Sequence, residues 1–248
     1  MSFDLTVLIP THACKREVIG PFKNLDQKNA SAPSTKLIET VISNIREHLS
    51  DISLKFIIGV DHKRDVDLSV SYLSNLKQLP FFNDDIEVIS YDTKYSDRVM
   101  TTITATNNFF NLISHCNTDT FLLWEHDWIF TKPIDNSKLD IQNIGIEMLR
   151  FNQFTNKTNT VETISTDDMG LTTTLFSNNP FITSKQVWND KYKKLASEIP
   201  DWWGEYGAFI EGPINRHIVE KNLNYKIHMY GNLNDDPYIA HLNGQVWR

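Results

Sequence analysis

A chain of 248 residues, 40% apolar and 22% charged, is long enough to bury one large α/β core and too hydrophobic to be disordered throughout. Its net charge of −7, with no run of five or more like charges, argues against a nucleic-acid backbone or an anionic membrane surface as the main partner. No stretch approaches the roughly 18 consecutive apolar residues of a membrane helix, and MSFDLTVLIP lacks a basic region followed by an apolar stretch of signal length.

Cys14 and Cys116 are too few for a disulfide framework and lack CxxC spacing. Reduced thiols in a soluble, cytoplasmic protein are the expectation, and the sequons at Asn29 and Asn156 then carry no weight.

In chain order, LTVLIP (5–10) is a continuous apolar run that stops at Pro10, as a central parallel strand would. Residues 35–49 place Leu37, Ile38, Val41, Ile42, Ile45 and Leu49 at helical spacing, with Ser34 as candidate N-cap. LKFIIGV (54–60) predicts the second strand, 66–79 a weaker helix, IEVISY (86–91) the third strand and 97–115 a third helix. FLLWEHDWIF (121–130) follows as the fourth strand, and the alternation implies an α/β fold with a central, mostly parallel, twisted sheet flanked by helices. The second half is less regular. It has strand candidates around 144–150, 173–176 and 225–230, a tryptophan-rich segment DWWGEYG, and a helix near 212–222 opened by Gly212-Pro213. Nothing in it reads as a linker or a repeat, so 1–248 is expected to form one domain.

Ligands of open parallel sheets bind beyond the carboxyl ends of the strands, where strand order reverses. Three polar clusters fall at such ends: Thr11-His12, Asp61-His62 and Glu125-His126-Asp127. Along a strand, alternate side chains share a face, so Glu125 and Asp127 should point together. Paired hard carboxylate oxygens suit Mg²⁺ or Mn²⁺ with positions open to phosphates. The blander reading is a strand end with solvated acids. Asp65-Val66-Asp67 has the same spelling but opens a helix, where acids complement the dipole.

These features together resemble the glycosyltransferases of GT-A fold, a Rossmann-like nucleotide-binding architecture, and most of all their family 2-like branch. LTVLIPTHA looks like that family's opening strand and nucleotide-contacting loop, which puts Thr11 and His12 there; VDH looks like its second strand end, giving Asp61. WEHDW stands where the family has its metal motif, with Glu125 in place of the first acid and Asp127 as the ion's own ligand. RVMTTITATNNFF resembles a nucleotide-binding segment and nominates Arg98 and Asn107. AFIEGPINRHIVEKNLNYKI resembles the acidic motif ahead of the acceptor-side helix. An inverting transferase needs there a base for the acceptor hydroxyl, and Glu211 occupies the place, with Glu205 of WWGEYG as its rival. His241 in YIAHLNGQVWR matches a late histidine that returns to the metal. The resemblance implies a nucleotide-sugar half over 1–130 and an acceptor half over 131–248. It also implies a nucleotide-sugar donor, expected as a UDP-sugar, and a carbohydrate or other hydroxyl as acceptor.

Trp202, Trp203 and Tyr206 offer flat apolar faces edged with polar groups that suit a sugar acceptor; packing beneath a loop is the other reading. Two further functions stay open. A nucleotidyltransferase would share the nucleotide-binding half but should carry a glycine-rich basic loop after the first strand, whereas PTHACKREVIG has Lys15 and Arg16 without GxG. A non-catalytic carbohydrate- or nucleotide-binding module would need neither metal acid nor base.

Overall fold

The computed structural model describes residues 4–12, 35–61, 66–79, 85–91, 108–159, 162–197 and 210–242. The first half runs through β1 (Asp4–His12), α1 (Lys36–His48), β2 (Ser53–Asp61), α2 (Val66–Lys77), β3 (Ile86–Tyr91), a helix α3 over 108–115 and β4 (Thr120–Leu123). There follow β5 (Trp128–Phe130), a short α4 (Ile141–Ile144), β6 (Met148–Arg150), β7 (Ser165–Asp167), β8 (Gly170–Thr173) and β9 (Phe181–Ser184). Then come α5 (Lys185–Val187), a π-helical turn (Trp188–Tyr192), α6 (Lys193–Ser197), α7 (Glu211–Glu220), β10 (Ile227–Met229) and β11 (Ile239–His241).

Nine of these strands form one sheet in the order β3-β2-β1-β4-β9-β6-β10-β8-β7. β9 and β8 run against the other seven, so the sheet is mixed but mostly parallel in direction. Right-handed crossovers explain its layering. Stepping outward from β1 to β2 to β3 leaves α1 and α2 on one face, and the jump back to β4, on the far side of β1, puts α3 on the other. Burial divides to match: Leu5, Val7 and Ile9 of β1 pack with α1, whereas Leu8 packs with Phe109, Leu112 and Ile113 of α3. A period of two with both faces covered requires this division.

α1 forms because Leu37, Ile38, Val41, Ile42 and Ile45 make a single stripe, all of it buried; each such side chain contributes about 1.5–3 kcal/mol. Its N-cap is Thr35, whose hydroxyl donates to Glu39 Oε1 (2.5 Å), and the expected cap Ser34 lies outside the described residues, as do His62 and Asp65. α7 begins at Glu211 and tolerates Pro213 in its first turn, where a backbone N–H has no helical partner to lose.

Two expectations change. The strand foreseen at 173–176 leaves the sheet at Thr173, and 175–178 runs on without pairing as a strand. The fourth strand stops at Leu123 instead of reaching Phe130. Its antiparallel neighbour β9 begins at Phe181, directly opposite Leu123, so the ladder has no rung beyond. Trp124 then buries its indole, which donates Nε1–H to Trp128 O (2.8 Å) and folds the chain back on itself. β5 pairs instead with β11, and Asn44 of α1 holds it: Phe130 N–H donates to Asn44 Oδ1 (2.7 Å) while Asn44 Nδ2 donates to Phe130 O (3.1 Å).

Gly59 of β2 faces α3, where an added Cβ would lie 2.5 Å from Asn108 Oδ1 and 2.9 Å from Leu112, which is fully buried. Gly59→Ala should therefore cost about 1–3 kcal/mol in a urea titration, as overpacked cores do; an unchanged midpoint would mean that α3 shifts freely.

Candidate functional site

Strand order reverses at β1, between β2 and β4, so the carboxyl ends of β1 and β4 border the crevice where α/β sheets bind ligands. Trp124 N–H adds a last rung to Leu8 O (2.9 Å), after which Glu125 to Trp128 form a turn closed by Trp128 N–H on Glu125 O (3.3 Å). Glu125 and Asp127 are thus set by a turn and not by strand alternation. His126 lies across β1, its Nδ1 3.4 Å from Pro10 O.

His241 reaches the same turn from the far end of the chain. In the β5–β11 pair it stands opposite Trp128, and Leu242 N–H continues the pairing by donating to Asp127 O (2.6 Å). Its ring meets Trp128 edge to face (4.6 Å, 83°) and its Nε2 lies 3.4 Å from Asp127 Oδ2. One ligand atom each from Glu125, Asp127 and His241 falls within 4.8 Å of the others. Asp127 is 5% exposed and the other two are half-buried. His241 Nδ1 is buried without a hydrogen-bond partner among the described residues, so β11 and Trp128 orient the ring. Two carboxylates so close repel, and burial weakens the water that would screen them. A divalent cation offsets both costs. Two hard oxygens and one imidazole nitrogen fit Mn²⁺ or Mg²⁺.

The other candidates divide. His12 and Asp61 sit opposite each other in register at the ends of β1 and β2; of their position, only the backbone is described. Thr11 is 2% exposed and its hydroxyl shares a hydrogen bond with the Tyr72 hydroxyl (3.2 Å). Arg98, Asn107, Glu205, Trp202, Trp203 and Tyr206 lie outside the described residues.

Glu211 opens α7, half-buried, its Oε2 accepting Asn178 N–H (3.3 Å). Burial pushes its carboxyl above the ordinary value; the Asn178 N–H and the Arg150 guanidinium oppose the shift and Glu162 adds to it. Arg150, 3% exposed at the end of β6, pairs with Glu162 (2.6 Å) and donates to Leu175 O (3.0 Å). Leu123 and Arg150 both stand opposite Phe181, so the turn at 125–127 and the segment at 178–180 leave the same sheet edge, on strands about 4.8 Å apart. Glu211 and the Glu125–Asp127–His241 triad therefore border one edge. Sequence reasoning missed Arg150 and Glu162. The signal was present in MLRF, a charge ending an apolar strand, as Glu125 does after β4.

No protein-family model and no curated protein matches the chain. Solved structures resemble it over nearly its whole length. A provisionally assigned glucose-1-phosphate thymidylyltransferase from Bacillus anthracis, in complex with sucrose, is 8% identical; the match covers 97% of this chain and 90% of that one at a TM-score of 0.50. HddC from Yersinia pseudotuberculosis is 10% identical over 96% and 94%, also at 0.50. A nucleoside-diphosphate-sugar pyrophosphorylase from Vibrio cholerae is 14% identical over 96% and 95%, at 0.48. At such identities the likeness is one of fold: the α/β, Rossmann-like sheet that the strand pattern implied. It does not single out the family 2-like glycosyltransferases that the motifs resemble.

Manganese chloride alone should raise the melting temperature of the wild-type chain, by linkage worth about 2.7 kcal/mol at a hundredfold excess over Kd. Asp127→Asn, which keeps the shape of the side chain, should erase the shift and His241→Ala reduce it. Equal shifts in all three would remove the triad from cation binding.

Proposed function

We propose that the protein is a metal-dependent, inverting glycosyltransferase that moves a sugar from a nucleoside-diphosphate donor, a UDP-sugar, to an acceptor hydroxyl. The observation that carries this reading is that the carboxylate of Glu211, its proton affinity raised by burial, borders the same sheet edge as the Glu125–Asp127–His241 triad. Glu125, Asp127 and His241 would hold Mn²⁺ or Mg²⁺, which supplies Lewis-acid stabilisation of the departing diphosphate.

The chain's own residues have distinct tasks. Asp127, fixed at its carbonyl by Leu242 N–H and beside the His241 ring, is held in place before a donor arrives. Preorganisation of this kind saves reorganisation during reaction. Glu211 takes the acceptor hydroxyl's proton: burial makes its carboxylate a stronger base, and Asn178 N–H fixes one oxygen, leaving Oε1 for the incoming proton. Glu205 remains the rival base. Trp202, Trp203 and Tyr206 are proposed as the acceptor platform.

Nucleotidyl transfer is the second reading, and the comparisons favour it over sugar transfer: the protein from Bacillus anthracis is described as a thymidylyltransferase. The same triad would serve a nucleoside triphosphate. Two features of this chain stand against it. PTHACKREVIG lacks the glycine-rich loop, and a sugar phosphate attacks with an oxygen already largely ionised at pH 7, which leaves Glu211 no proton to take.

Product analysis separates the two. Incubation with Mn²⁺ and a panel of nucleotide sugars should release nucleoside diphosphate, and Glu211→Gln should lower transfer by about 10²–10⁴-fold while donor affinity persists. Pyrophosphate released from a nucleoside triphosphate and a sugar phosphate, undiminished in Glu211→Gln, would replace sugar transfer with nucleotidyl transfer. Because Glu211 must be ionised to act, kcat should fall as pH drops through a value above the ordinary glutamate range of about 4.3. An acid limb at or below that range would take the role from Glu211.

A further inference from the structure

We infer that Asn215 is a positioning residue for Glu211, gripping through Phe176 the strap of chain whose Asn178 N–H orients the carboxylate. The inference rests on the reading of Glu211 as the base.

Glu211 and Asn215 lie four residues apart on α7 and so share one face of the helix, a turn apart. Against that face runs the strap 175–178, which left the sheet at Thr173 and pairs as no strand. Asn215 holds it at two points. Phe176 N–H donates to Asn215 Oδ1 (2.8 Å), and Asn215 Nδ2 donates to Phe176 O (2.8 Å). Only an amide offers a donor and an acceptor in this geometry; aspartate lacks the donor and leucine has neither. The Phe176 ring is 1% exposed and pinned against Phe181 (5.4 Å) and Tyr192 (5.5 Å), while Arg150 Nη1 grips Leu175 O (3.0 Å). The strap's residues 175 and 176 are therefore fixed from two sides, and residue 178 presents its N–H to Glu211 Oε2 (3.3 Å). That contact is long for a hydrogen bond, so small movements of the strap decide whether it is made.

Asn44 gives an independent parallel. It brackets the backbone N–H and C=O of Phe130 in the same manner, immediately behind the turn that carries Asp127. The chain uses one device twice at this sheet edge, once behind the acidic turn and once behind Glu211. In both cases the amide satisfies backbone groups that no neighbouring strand pairs.

Kinetics on the full chain test the inference, with the nucleotide sugar and acceptor found active by product analysis and with UDP plus manganese as the calorimetric probe. Asn215→Ala should lower kcat by about 10- to 100-fold, the cost of a misplaced catalytic group, and leave donor KM and the affinity for UDP–manganese unchanged. Amide exchange at Asn178 should accelerate in the same variant. Asn215→Asp, which keeps the acceptor for Phe176 N–H and loses the donor, should lie between wild type and Asn215→Ala. Wild-type kcat and Asn178 exchange in both variants, with Glu211→Gln inactive, would overturn the positioning role alone. So would donor affinity falling in step with kcat, or failure of both variants to fold, since each makes the grip merely structural. Turnover that survives Glu211→Gln would instead remove the base reading underneath.

Discussion

The chemistry of this molecule hangs on where β4 stops pairing. Phe121 to Leu123 pair in parallel with β1 on one side, and Thr120 to Leu123 pair antiparallel with β9 on the other; one further rung, Trp124 to Leu8, is made on the β1 side alone. A strand that continued to Phe130 would turn Glu125 and Asp127 out from one face of the sheet and leave backbone groups unsatisfied on the β9 side. The buried indole of Trp124 resolves this by binding Trp128 O, so the acids occupy a turn and β5 becomes available to β11. The pairing with β11 is what delivers His241. One early ladder end thus sets two carboxylates and a histidine from 114 positions later against one another.

A second theme is how the loops at this edge are kept in place where the sheet no longer supplies partners. Buried asparagine amides do it. Asn179 Nδ2 donates to Asn152 Oδ1 (3.3 Å), and Asn156 Nδ2 donates to Tyr230 O (2.9 Å) beside Gly231, whose φ of +95° is one that glycine adopts without strain. Asn156 is 2% exposed, an interior residue that ties the segment after β6 to the one after β10. Buried polar networks are stabilising only when satisfied, and when satisfied they hold such loops in one arrangement.

Much of the first half was legible because its physics is local. The stripe of α1, the apolar runs of β1 and β2 and the doubly wound alternation follow from periodicity and right-handed crossovers, and they put Glu125 and Asp127 beyond the carboxyl end of a strand, where the structure has them. Periodicity also led the reading astray, since FLLWEHDWIF is apolar enough to pass for one strand; its break depends on β9 starting at Phe181, an event 58 residues away. β9 itself, only four residues between polar segments, left no pattern. Arg150, Asn178 and Asn215 matter through partners brought together by the fold, and their types alone do not announce those partners. His241 was nominated by resemblance, not by spacing, and it took the β5–β11 register to set it beside Asp127.

The central claim is that this turn and β11 build a cation site at the carboxyl edge of the sheet. Crystals grown with manganese and UDP, measured at a wavelength where manganese scatters anomalously, test it most directly. The account requires one anomalous peak about 2.0–2.3 Å from a carboxylate oxygen of Asp127 and a ring nitrogen of His241, with Glu125 bound directly or through water and diphosphate oxygens filling the remaining positions. A peak elsewhere on the molecule, or well-ordered UDP at this edge with no manganese beside Asp127, would contradict it.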